Sequence, residues 1–235
     1  MPSHFISHVG AVRKNNEDAV YCDDRAGVYA VADGIGGSQA GEVASAIVVQ
    51  VLADKLGNQL DGEPLILLKE AYYEANDILY NAGKQKALDG MGTTMTTAMV
   101  RDDIIYLVHV GDSRAYLLNK NGICQLTTDH TLVNELVKDG SITQAEAERH
   151  PRRNVITRSL GADLLVEVDE RVVAWETGDY LLLCSDGLYS LVEDKEIQEI
   201  TLNSVDLKSA LELMVKIAID RGGYDNISAI IVPHQ

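Results

Sequence analysis

Two strand-like runs stand almost end to end in this chain, and little else constrains its fold as strongly. TTMTTAMV (residues 93–100) is Thr-rich and β-prone, IIYLVHV (104–110) is branched and apolar, and only Arg101, Asp102 and Asp103 lie between them. A parallel crossover needs about a dozen residues or more, so a connection this short forces an antiparallel pair. RAYLL (114–118) follows after Gly111 and Asp112, and NKNG (119–122) has the composition of a turn. Further strand signals fall at 28–32, 166–174, 180–184 and 227–232.

Helical periodicity occupies separate blocks. Residues 42–56 place Val43, Ile47 and Val51 on one face, and 64–87 place Leu67, Leu68, Ala71, Ala75, Ile78 and Leu79 together. Residues 207–221 do the same with Leu211, Val215 and Ala218, and Gly222-Gly223 closes that helix. Two shorter helices are expected between Thr131 and Arg149, the second opened by a capping box of Thr143 and Glu146. Antiparallel strands beside long amphipathic helices indicate a layered α+β fold. No linker or repeat divides residues 1–235, so one domain is expected; periodicity leaves the number of sheets open.

Charge excludes some partners. The chain carries 20 Lys+Arg against 36 Asp+Glu, a formal net charge of -16, which repels nucleic acid phosphates and anionic membrane surfaces. No apolar run approaches the ~18 residues of a membrane span, and no apolar segment precedes the first charges as in a signal peptide. Cys22, Cys124 and Cys184 form neither a CxxC knuckle nor an even disulfide set. A monomer in a reducing compartment, the cytoplasm, is the expectation.

The carboxylates carry the chemistry. Asp33, Asp112 and Asp186 each end an apolar run, in YAVADGIGG, HVGDS and LLLCSDG; Glu17 and Asp18 follow Arg13-Lys14-Asn15-Asn16, and Asp225 sits in GGYDN. Any one of them reads as an ordinary turn residue whose side chain bonds nearby amides. If the strand ends meet at one edge, however, the set crowds anions together and raises their pKa values. A divalent cation relieves this. Oxygen ligands alone, with six histidines and no HExxH motif among them, point to Mg²⁺ or Mn²⁺ rather than Zn²⁺. His109, alone on a strand, reads as a packing or solvated residue rather than a ligand. Gly34 allows the backbone to approach an ion, so its carbonyl is a ligand candidate, against the plainer reading of a Gly-rich turn. GIGG lacks the P-loop pattern, and no EF-hand D-x-D-x-D-G loop is present. Arg13 reads either as a solvated cation or, beside metal ions, as a planar fork for phosphate oxygens.

On these residues the chain resembles the metal-dependent protein serine/threonine phosphatases of type 2C (the PPM family), in particular their compact bacterial members. RKNNED (13–18), VADGIGG (31–37), GTT (92–94), HVGDSRAY (109–116), TTDHTLV (127–133), CSDGL (184–188) and GGYDNIS (222–228) occur in the family's order. The resemblance implies a four-layer αββα sandwich, two central antiparallel sheets flanked by helices, with a flap over about 129–161. It implies that Asp33 bridges two Mn²⁺ or Mg²⁺ ions. Asp186 and Asp225 would bind the first ion, and Glu17 and the Gly34 carbonyl the second. Asp18 would hold water on the metals, and Asp112 with Asp186 would form a third site. Arg13 would bind the phosphate, and Asn226 would support the ligand beside it.

The implied reaction is hydrolysis of phosphoserine or phosphothreonine in proteins by a hydroxide bridging two ions, reversing a Ser/Thr kinase. Cys184 is no nucleophile, since no cysteine-phosphatase loop surrounds it. The departure is Ile35, which stands where many eukaryotic members carry a histidine able to protonate the leaving group, and Ser38 follows the glycines. Water held at the third metal site is the substitute we favour. Arg149, Arg152 and Arg153 in ERHPRRN are either a solvated turn or a contact for acidic or phosphorylated substrate. A silent phosphoprotein-binding relative and a small-molecule phosphohydrolase are the alternatives.

Overall fold

The structure is a computed structural model that describes residues 2–35, 40–57, 61–85, 88 and 90–234. Gly36, Gly37 and Ser38 of the glycine-rich stretch, and Ala87 at the expected end of the second helix, lie outside the described residues. In chain order the elements are β1 (His4–His8), β2 (Asp18–Asp23), β3 (Val28–Ile35), α1 (Ala40–Leu56), α2 (Pro64–Ala82), β4 (Gly92–Thr93), β5 (Met95–Arg101), β6 (Ile104–Val110), β7 (Arg114–Asn119) and β8 (Gly122–Gln125). Then follow α3 (Leu132–Lys138), α4 (Gln144–Glu148), β9 (Asp169–Ala174), β10 (Tyr180–Cys184), α5 (Asp186–Tyr189), α6 (Asp194–Asn203), α7 (Leu207–Asp220) and β11 (Ile227–Pro233).

The short connection after β5 does what its length requires. Met95 pairs with Val110 and Arg101 with Ile104, and Asp102 takes the left-handed turn conformation at φ 49°. The strands form two antiparallel sheets. One runs β1-β11-β10-β7-β8, the other β2-β3-β5-β6-β9, with β4 attached to β3. Alternation along β3 shows how they stack. Tyr29 and Val31 face the other sheet, meeting Leu181, Leu183, Ile230 and Val232. Val28, Ala30 and Ala32 face α1 and α2, packing with Val48, Leu52, Leu68 and Tyr72. On the far side, Leu182, Cys184, Ala229 and Ile231 pack against Ile197 of α6 and Leu211, Met214 and Ala218 of α7. Both faces of each sheet are therefore covered, which is why the strands read as continuous apolar runs. The four-layer αββα expectation holds.

Several details differ from the sequence reading. The buried face of α1 is Ala44, Val48, Val51 and Leu52, while Val43 is exposed; the helix is apolar nearly all round, so periodicity does not select its face. Ile78 of α2 is likewise exposed. That helix stops at Ala82, because Gly83 caps it and the chain then turns, Gln85 N–H donating to Ala82 O. The strand expected from 166 starts at Asp169, with Val166 and Val168 packed as loop residues on the α1–α2 core. β1, β2, β8, α5 and α6 were not anticipated: they are short and only partly buried, so their patterns are faint. The Thr143–Glu146 capping box is present. Gly222 and Gly223 close α7 with N–H bonds to Ile219 O and Ala218 O, the paired bonds of a Schellman turn.

Antiparallel pairing brings strand ends together. The ends of β3, β6 and β10 and the starts of β2, β7 and β11 share one edge of the sandwich, since Asp18 lies opposite Asp33 and Cys184 lies opposite both Arg114 and Ala229.

Candidate metal centre

Asp33 sits near the end of β3, beside the break between β4 and β5. Thr94 interrupts the run between β4 and β5, and its hydroxyl, rather than a backbone carbonyl, accepts the Asp33 N–H at 3.0 Å. The Thr94 N–H returns a bond to Asp33 O at 2.9 Å, and the Thr93 hydroxyl donates to the same carbonyl at 2.9 Å. Asp18 opens β2 beside it. Asp186 is the first residue of α5, directly after β10, and Asp112 lies in the turn between β6 and β7. Asp225 lies two residues before β11. Asp33 feels the charges of Asp18, Asp186, Asp112 and Asp225 together. The strand ends that carry these aspartates therefore meet at one edge.

The loop that carries Arg13 and Glu17 is tied to the same edge by Asn226. This buried amide donates to Val9 O and Asn15 O, each at 2.9 Å, and accepts the Glu17 N–H at 2.8 Å. Its own N–H bonds Asp225 Oδ1 at 2.9 Å. Asn226 thus ties the backbone of the 9–17 loop to the start of β11. Gly34 donates to Glu17 O at 3.1 Å. A Cβ on Gly34 would collide with the Gly41 carbonyl at the start of α1, so glycine is required by close packing. Arg13 Nη2 meets Asp225 Oδ2 at 2.7 Å, half exposed.

Crowding and burial act on the carboxyls in the same direction. Burial, then repulsion from the other aspartates, raises Asp33 well above the usual carboxylate range. Burial pushes Asp18 up to about 7, against the opposing hydrogen bonds of Ser185 and Ser228. Asp112 also rises to about 7, through burial and then Asp186 and Asp129. Asp186 rises to about 6, through burial and then Asp225. Asp18 Oδ1, Asp112 Oδ1 and Asp186 Oδ1 are buried with no hydrogen-bond partner. Buried anionic oxygens without a donor are costly, and a hard divalent cation is the partner their chemistry fits. Asp33 and Asp186 keep a partly open side, from which an ion can enter. Among the described residues, no three His, Cys, Asp or Glu side chains stand as a group placed to hold a metal ion; Arg13 occupies Asp225, and Ser185 Oγ donates to Asp18 Oδ2 at 2.7 Å.

A cavity of about 280 Å³ adjoins Asp186 and Tyr189, bounded by Arg114 and Asp129 on the sheet side and by Asn134 and Arg153 on the α3–α4 segment. Arg149, Arg152 and Arg153 are all exposed; Arg153 lines this cavity and the other two do not. Ile35 ends β3 opposite Gly92 and presents no titratable group. His109 is a packing residue as expected, buried, with its pKa lowered to about 3 by burial and then His130. Ser185, Thr94, Tyr189 and His130 also reach the site. Their hydroxyls and ring contact it through tertiary pairing, which has no local spacing signature, although the GTT, TTDHTLV and CSDGL motifs contain three of them.

The family profile "Protein phosphatase 2C" matches residues 7–225. The serine/threonine phosphatase stp of Listeria monocytogenes is 38% identical, over 99% of this chain and 95% of that protein. Protein phosphatase PhpP of Streptococcus pneumoniae is also 38% identical, over 99% and 97%. Among solved structures, the Mycobacterium tuberculosis serine/threonine phosphatase PstP/Ppp superposes with a TM-score of 0.91 at 37% identity, covering 99% of this chain and 98% of that one. The catalytic domain of PstP in complex with two manganese ions gives 0.87 at 36% identity, covering 97% and 96%. With a profile match over most of its length and relatives this similar end to end, the chain belongs to the protein phosphatase 2C family.

Proposed function

We propose that the protein is a metal-dependent phosphatase that releases phosphate from phosphoserine and phosphothreonine in proteins, opposing a Ser/Thr kinase in the cytoplasm. The observation that carries the chemistry is the meeting of five aspartates and one arginine at a single sandwich edge, with three buried carboxylate oxygens left without a donor. In this reading Asp33, Asp186 and Asp225 would hold one Mn²⁺ or Mg²⁺ ion, Asp33, Glu17 and the Gly34 carbonyl a second, and Asp112 with Asp186 a third. When bound, the cations supply Lewis-acid activation of water and neutralise phosphoryl charge.

The chain's own groups do the rest. Arg13, half exposed and resting on Asp225, is released toward solvent when Asp225 is engaged, and its fork pairs two phosphoryl oxygens. Asp18, fixed by the Ser185 hydroxyl, orients water at the site. Ile35 donates no proton, so the leaving alkoxide takes its proton from water. Residues 129–161 form the flap, and Arg153 beside the cavity contacts the substrate chain. The three free cysteines fit a reducing compartment.

The test is phosphate release from a phosphothreonine peptide by protein stripped with EDTA and then given Mn²⁺. Activity should vanish on stripping and return with the metal. Hydrolysis that persists in EDTA contradicts metal dependence, and failure to release phosphate from the peptide while small phosphate esters are hydrolysed contradicts the protein substrate.

A further inference from the structure

His130 lies in the segment between β8 and α3, and is buried. It grips Gly111 twice. The His130 backbone N–H donates to Gly111 O at 2.7 Å, and the Gly111 N–H donates to His130 Nδ1 at 3.0 Å. A backbone N–H only donates, so Nδ1 is the acceptor and the neutral ring carries its proton on Nε2. Burial lowers the pKa of His130, in keeping with a neutral ring. Nε2–H then points to Asp169 Oδ2 at 3.3 Å, and Asp169 also takes Arg158 Nη1 at 3.0 Å.

Gly111 needs such a grip. It holds φ +108°, and a Cβ there would sit 2.5 Å from the Thr94 side chain. Thr94 presses one face of the turn while His130 bonds its polar groups. The next residue is Asp112. Its carbonyl accepts the Tyr189 hydroxyl at 3.0 Å, and the following Ser113 O accepts the Thr96 hydroxyl at 2.8 Å. Every bond in this group fixes backbone, while Asp112 Oδ1 stays buried without a partner. The same His130 carbonyl accepts the Thr157 N–H at 2.8 Å, and Thr131 bridges Ile156. One residue therefore joins the neck of the α3–α4 segment to the turn that aims Asp112.

We propose that His130 is a positioning residue for Asp112, its ring holding the Gly111 peptide so that the Asp112 carboxylate points into the metal centre. This rests on the reading of Asp112 as a ligand, with Asp186, of a third ion, which has the fewest ligands assigned to it and is therefore expected to be held most weakly.

The experiment is Mn²⁺ binding to the full-length metal-free protein, with free Mn²⁺ counted by electron paramagnetic resonance, for wild type, Asp112→Ala, His130→Ala, His130→Asn and His130→Gln. Asp112→Ala should lose the weakest class of sites. His130→Ala should weaken that class alone by roughly tenfold or more, the usual effect of removing a group that orients a metal ligand. His130→Asn keeps an acceptor in the place of Nδ1 and should recover most of it; His130→Gln does not and should resemble Ala. If His130→Ala fails to fold, the Asn–Gln pair decides. Wild-type binding in Ala or Gln with only a lowered melting temperature would overturn the positioning role, as would equal weakening of all classes. Unchanged binding in Asp112→Ala would instead overturn the reading of Asp112, and this inference with it.

Discussion

Arg13 is the residue whose resting state and proposed use differ most. It rests on Asp225 with nearly half its side chain exposed, an arrangement worth about 0–1 kcal/mol to the fold. Arg13→Ala should therefore leave the melting temperature almost unchanged while reducing kcat/KM on a phosphothreonine peptide by about a hundredfold, the scale of losing one charge-stabilising donor. Arg13→Lys should recover little, because an ammonium lacks the two-pronged geometry. Equal kinetics in Arg13→Ala and wild type would remove Arg13 from the site. At this scale the aspartates were legible because each interrupts an apolar run, a break that local sequence shows. Ser185 and Thr94 were not: a hydroxyl that bonds Asp18 from 167 residues away, or takes the place of a carbonyl beside Asp33, leaves no periodic trace.

Among elements, the strands that are buried on both faces were the readable ones. β6 and β10 matched their expected bounds because both faces demand apolar residues. β1 and β2 are half buried, and their polar alternation resembles a loop. α1 was found but rotated, since a helix with apolar residues all round does not declare which side is inside. The α3–α4 segment is legible with its capping box, yet of its three arginines Arg153 alone lines the cavity. The double change Arg152→Ala/Arg153→Ala should raise KM for phosphopeptides and spare small aryl phosphates, and Arg153→Ala alone should produce most of that rise, because Arg153 is the one that lines the cavity. Equal losses on both substrate types would place the effect outside substrate contact.

For the whole molecule, the antiparallel sandwich turns scattered sequence positions into one acidic edge, and stability there depends on pH. Asp18 and Asp112 rise from 3.8 to about 7 and Asp186 to about 6 in the folded, metal-free chain. The folded state then binds more protons than the unfolded one between these limits. The contribution of these groups is full below about 4 and is lost as pH rises through about 6 to 7. Divalent cations bind the ionised carboxylates, so their stabilisation grows across the same window. The gap in melting temperature between Mn²⁺-loaded and EDTA-treated protein should widen from pH 5 to pH 8; a constant gap would contradict coupling between these carboxyls and the metals. The number of sheets was not legible from periodicity, because an apolar strand reads the same whether a helix or a second sheet covers it. The most direct test of the account is Asp33→Asn, which preserves shape and the backbone bonds to Thr94 while removing the proposed bridging charge. At saturating Mn²⁺, kcat on a phosphothreonine peptide should fall at least about a hundredfold in a protein that still folds. Activity within about tenfold of wild type would contradict the claim that this carboxylate joins the metal centre.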